Sequence, residues 1–198
     1  MKIAIFGGAF NPVHLGHIEI VKQLNLKYDF DKILIVPTKI SPHKSNDEFV
    51  SETHRFNMCS LAFENIENCE VSKIELDKDS ISYTYQTLEI LRTTYPNDEF
   101  YLICGSDMYL SLLDWKNPNI IFDNAKIIGF IRDNENLDTM IEYQEILKSR
   151  GADSSICKVY IPPYSSTQVR LAIKSGIDTI AFLNSNVKKY IENNKLYL

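Results

Sequence analysis

The segment Gly7-Gly8-Ala9-Phe10-Asn11-Pro12-Val13-His14-Leu15-Gly16-His17 follows the apolar run Ile3-Ala4-Ile5-Phe6 and leads straight into an amphipathic stretch at about residues 15–27. A short strand, a glycine turn and a helix in that order open an α/β sheet, in which ligands bind outside the carboxyl ends of the strands. Gly7 and Gly8 let the backbone turn sharply and approach a ligand, Pro12 fixes the turn, and the free N–H groups of the following helix attract anions. His14 and His17 are three apart at the opening of that helix, so both imidazoles can lie on one face and point at the same oxyanion. Gly16 keeps that face uncluttered. A lone histidine or a glycine pair says little, but the combination in this context points to phosphate chemistry.

Further strand-sized apolar runs occur at 33–36, 100–104, 127–131 and 159–161. Helical apolar spacing predicts helices at about 53–66, 84–94, 138–149, 167–175 and 186–194. This alternation predicts a Rossmann-like, doubly wound, mostly parallel sheet with helices on both faces. Residues 132–138 read as a polar loop, and no repeat or linker divides the chain. Residues 1–198 are expected to form a single domain, the helices from about 165 packing as a small subdomain.

Composition excludes several classes. With 198 residues, 44% of them hydrophobic and 24% charged, the chain can bury a sizeable core without an oligomer, and a homo-oligomer is left open. The net charge of −5 and the lack of a Lys/Arg block argue against a nucleic-acid partner, although a local positive site can still bind an anionic ligand. The opening apolar run is far too short to span a bilayer. Cys59, Cys69, Cys104 and Cys157 show neither CxxC nor metal-type spacing and no secretory signal precedes them, so they read as reduced core residues of a cytoplasmic protein. The Walker A and GxGxxG patterns are absent.

The opening segment resembles the GxFxPxHxGH signature of the nucleotidylyltransferase superfamily, with His14-Leu15-Gly16-His17 as HxGH. The usual form has Asp where this chain has Asn11, and commonly Ser or Thr where it has Ala9. Four later segments resemble, in matching order, motifs of the bacterial nicotinate mononucleotide adenylyltransferases. Val36-Pro37-Thr38-Lys39-Ile40-Ser41-Pro42-His43-Lys44 is similar to the PxxxxPHK loop, and Ser82-Tyr83-Thr84-Tyr85-Gln86-Thr87-Leu88 to SYTxDTL with Gln86 in place of Asp. Gly105-Ser106-Asp107-Met108 with Leu110, Leu113 and Trp115 resembles G(A/S)DxLxxLxxW. Ser165-Ser166-Thr167-Gln168-Val169-Arg170 resembles (I)SSTxIR, with Tyr164 replacing the usual apolar residue.

Each motif also has a local physical reading. The lysines and the histidine of the second segment are phosphate donors. Thr84 can cap the helix predicted from 84. Asp107 can accept from a ribose hydroxyl, and Trp115 offers a flat face for a pyridine ring. Ser165 and Ser166 can cap the next helix, Arg170 adds a charge one turn in, and Pro162-Pro163 stop the preceding strand.

The resemblance implies transfer of AMP from ATP to nicotinate mononucleotide, giving nicotinate adenine dinucleotide and pyrophosphate in NAD biosynthesis, with Mg2+ brought by ATP and no protein metal site. It implies His14 and His17 as catalytic residues. Gly7, Gly8, Ala9, Phe10, Gly16, Gly105, Asp107, Ser165, Ser166, Thr167 and Arg170 would join them around ATP. Asn11, Lys39, His43, Lys44, Thr84 and Trp115 would hold the acceptor nucleotide. The alternatives are a related enzyme acting on nicotinamide mononucleotide or 4′-phosphopantetheine, and a non-catalytic nucleotide-sensing module.

Overall fold

In the computed structural model, residues 1–39, 49–77, 82–132, 137–161 and 164–198 are described. His43, Lys44 and Pro162-Pro163 lie outside them. The first strand, β1 (Lys2–Gly8), leads through the glycine turn into helix α1 (Leu15–Tyr28), then β2 (Lys32–Pro37), α2 (Glu52–Phe63) and the three-residue β3 (Cys69–Val71). The second half runs α3 (Thr84–Thr94), β4 (Glu99–Gly105), α4 (Ser106–Tyr109), α5 (Pro118–Asn124), β5 (Ala125–Ile131), α6 (Leu137–Ser149), β6 (Ser154–Lys158), α7 (Ser166–Lys174) and α8 (Ser185–Asn193).

The strands form one six-stranded sheet in the order β3-β2-β1-β4-β5-β6. Every pairing among them is parallel. This is the doubly wound order in which the direction of strand addition reverses between β1 and β4, leaving a crevice at their carboxyl ends. Alternation along the strands divides the core. Ala4, Phe6, Ile33 and Ile35 face one side with α1, α2, α7 and α8, while Ile3, Ile5, Leu34, Leu102 and Ile127 face the other with α3, α5 and α6. Ile20 and Leu24 of α1 and Leu88 of α3 are fully buried, each contributing about 1.5–3 kcal/mol.

Two expectations needed correction. The run at 159–161 is not a strand: β6 lies just before it, at an edge, and its sequence Ser-Ser-Ile-Cys-Lys has no continuous apolar run. Val159 is buried and its N–H still donates to Ile131 O at 2.9 Å, but Tyr160 is already exposed. Thr84 is the first helical residue of α3, and extended Tyr83 stands at the N-cap without a side-chain cap. Among the described residues no helix is long and apolar enough to cross a membrane.

Candidate active site

A cavity of about 530 Å³ opens at the carboxyl ends of β1 and β4. Gly7, Gly8, Ala9, Phe10 and His17 line it from the turn after β1 and the start of α1, Gly105 and Asp107 from the end of β4 and α4, Thr84 from α3, Trp115 from the segment between α4 and α5, and Ser166 from α7. Residues as far apart in sequence as Gly7 and Ser166 thus meet because the parallel sheet ends every strand at the same edge. Trp115 is half-buried, and its indole N–H donates to Ser111 Oγ at 3.2 Å, which fixes the ring plane.

The two histidines are brought together but do different things. His14 is the N-cap of α1, 2% exposed, and its ring lies 3.8 Å from that of His17, tilted by 32°. Burial, and then the charge of Arg132, push His14 down to about 4, so it is neutral at pH 7. His17 lines the cavity and His14 does not. The backbone N–H of His14 donates to His17 Nδ1 at 3.2 Å, so in neutral His17 the proton sits on Nε2. Gly16 is required by contact: a Cβ there would come within 3.0 Å of His14 Cε1 and Nδ1. At Gly8 a Cβ would meet the Phe10 ring at 3.1 Å.

The turn itself is held from behind. Phe10 has φ 45°, a left-handed conformation that costs a bulky residue about 1–3 kcal/mol. Arg170 Nη1 donates to Asn11 O at 2.9 Å, and Ser166 Oγ to Pro12 O at 2.9 Å. Asn11 is 2% exposed, and its Oδ1 accepts from Tyr197 Oη at 2.8 Å and from Val50 N at 3.3 Å. Ser165 caps α7, accepting from Gln168 N at 3.2 Å, and Thr167 Oγ1 accepts from Arg170 Nη2 at 3.4 Å. Asn11, Gly16, Ser165, Thr167, Arg170 and Lys39 are therefore gathered around the site without lining the cavity.

Several residues escaped the sequence reading. Glu75, buried and lining the cavity, accepts from Thr87 Oγ1 at 2.9 Å. Thr38, Tyr83 and Lys116 also line it. Arg132, just past β5, acts on His14 through its charge, and its Nη1 donates to Tyr164 O at 3.4 Å. Arg55 of α2 is 1% exposed and donates to backbone carbonyls of the turn. Its signal was present: it falls on the same helical face as buried Met58, Cys59 and Ala62, where a charge is out of place.

Cys59 and Cys104 are too buried to act as thiolate nucleophiles. Burial pushes Cys104, which lines the cavity, up to about 12, and holds Cys59 well above the ordinary thiol range. Among the described residues no cluster of His, Cys, Asp or Glu could hold a metal ion.

Comparison with known proteins places the chain in a family. The cytidylyltransferase-like family model matches residues 5–172. A probable nicotinate-nucleotide adenylyltransferase of Borreliella burgdorferi is 33% identical, the match covering 100% of this chain and 97% of that one. A protein of the same description from Clostridium tetani is 32% identical over 99% of this chain and 98% of its own. Among solved structures, Plasmodium falciparum nicotinic acid mononucleotide adenylyltransferase complexed with NaAD superposes with a TM-score of 0.80 at 20% identity, covering 99% of this chain and 97% of that one.

Proposed function

This chain belongs to the cytidylyltransferase-like family and, within it, to the nicotinate-nucleotide adenylyltransferases, and from that premise we propose that it transfers AMP from ATP to nicotinate mononucleotide, releasing pyrophosphate. The observation that carries this reading is that one cavity contains both the glycine-histidine turn and the Tyr83, Thr84 and Trp115 group. ATP and a pyridine nucleotide can then meet in it, within the usual volume range of a small-molecule site.

In this reading the acceptor's 5′-phosphate oxygen attacks the α-phosphorus of ATP in line as the bond to the bridging oxygen breaks and pyrophosphate departs. Such a step needs positioning and charge stabilisation rather than a protein nucleophile. His17 donates from Nε2 to an oxygen around the α-phosphorus. His14, packed against His17 and donating its backbone N–H to Nδ1, holds that ring and its tautomer. The first amides of α3 at Thr84, an 11-residue helix, meet the ring carboxylate of the acceptor, and Trp115 stacks on the ring. Asp107 accepts from a ribose hydroxyl, and Ser166 with the amides of α7 meets the outer phosphates. Lys39, His43 and Lys44 serve the acceptor phosphate, and Arg170 and Asn11 act by holding the turn. Mg2+ enters with ATP as part of the substrate. Residues 1–198 act as one domain, with α7 and α8 sharing the core of α1 and α2.

Pyrophosphate release in parallel reactions with ATP, Mg2+ and one of three acceptors tests the proposal. Rapid release with nicotinate mononucleotide alone supports it. Preference for nicotinamide mononucleotide or 4′-phosphopantetheine keeps the chemistry and reassigns the acceptor end, and no release with any of them favours a sensing module.

A further inference from the structure

Arg55 is a buried cation whose hydrogen-bond partners are all neutral. Nη1 donates to Ala9 O at 2.9 Å and to Thr38 O at 2.6 Å, Nη2 reaches Lys39 O at 3.5 Å, and the Phe49 ring lies 5.4 Å from the guanidinium carbon. Among the described residues no carboxylate pairs with it. Burying a charge without a counter-ion is costly, and a neutral residue at this helix position would avoid that cost. The guanidinium keeps its proton even so.

Its carbonyl partners show what the charge acts on. Ala9 and Thr38 both line the cavity, one from the turn after β1 and the other from the segment after β2. In a trans peptide the C=O and the following N–H point in opposite directions. Drawing the Ala9 and Thr38 carbonyls toward α2 therefore turns the N–H groups of Phe10 and Lys39 away from Arg55. Arg55 on Ala9 O and Arg170 on Asn11 O also bracket Phe10, the residue with left-handed φ, so the strained turn is clamped on both sides.

We propose that Arg55 is a positioning residue for the triphosphate: from behind the cavity wall it ties the backbone at Ala9 to the segment after β2, aims two peptide dipoles at the phosphate side, and adds a positive charge there, which Glu52 of the same helix offsets only at a distance, without an ion pair. The inference rests on ATP being the substrate. It assigns no contact between Arg55 and ATP.

The test compares wild type, Arg55→Gln and Arg55→Lys by calorimetric titration with ATP, AMP and adenosine, with circular dichroism to verify folding. Arg55→Gln is expected to bind ATP about tenfold more weakly while adenosine binding stays within about twofold. Arg55→Lys keeps the charge but replaces the planar guanidinium fork with a compact ammonium on a shorter stem, so it weakens ATP by a smaller factor and again spares adenosine. It also carries the test alone if Arg55→Gln does not fold. In turnover, KM for ATP rises by more than kcat falls. Equal weakening of ATP and adenosine, or none of either, overturns the inference. A wild-type protein that binds adenosine but gains nothing from the phosphates overturns the proposed function first and the role of Arg55 with it.

Discussion

The backbone N–H of His14 donates to Nδ1 of His17 at 3.2 Å while the two rings lie 3.8 Å apart, so one histidine holds the other. His14 is a buried, neutral support beneath the His17 ring, which faces the cavity. The spacing of three residues predicted their proximity, but burial decides which of them reaches a ligand.

Replacing His17 with Ala should lower turnover by roughly two to three orders of magnitude if it stabilises charge on the phosphates. Folding should be little affected, since His17 is only partly buried. Steady-state kinetics check this, and near-normal kcat would refute the role.

The protonation of His14 predicts a pH dependence of stability. Its ordinary value of 6.5 applies to the unfolded chain and about 4 to the folded one, so between these the unfolded state binds the extra proton. The neutral form's contribution is therefore complete above pH 6.5 and is lost as pH falls toward 4, amounting to about 3 kcal/mol. Imidazole NMR should show His14 not yet titrating at pH 5.5. A midpoint near 6.5 would contradict the buried placement.

Gly16→Ala should displace the His14 ring, because the added Cβ would stand 3.0 Å from two of its atoms. The expected cost is about 1–3 kcal/mol of stability. A fall in kcat should accompany it, since His17 leans on the displaced ring. Denaturant unfolding and kinetics on the same variant measure both.

Much of the fold was legible because four central strands are continuous apolar runs and the helices between them keep a 3.6-residue period. The exceptions lie at the margins. β3 has three residues and β6 is a polar edge strand, so neither carries a periodic signal. α5 is a seven-residue helix behind Asn117, whose φ of 52° no local pattern announced. In the site, Gly7, Gly8, His17, Asp107, Thr84 and Trp115 were readable from motifs and line one cavity. The resemblance placed Asn11 with the acceptor nucleotide; the hydrogen bond its Oδ1 accepts from Tyr197 joins residues 186 apart, a separation no local pattern spans.

That contact yields a further prediction. Tyr197→Phe removes the buried hydroxyl that donates to Asn11 Oδ1 at 2.8 Å and should cost about 1–2 kcal/mol. Thermal unfolding of the two proteins checks this, and an unchanged midpoint would show that the contact contributes nothing to stability.

Adenylyl transfer to a pyridine nucleotide is measured by following the α-phosphate of labelled ATP in the presence of Mg2+ and nicotinate mononucleotide. The label is expected to move into nicotinate adenine dinucleotide at the rate at which pyrophosphate appears, and much more slowly in His17→Ala. Label released as free AMP, or remaining in ATP, would contradict it.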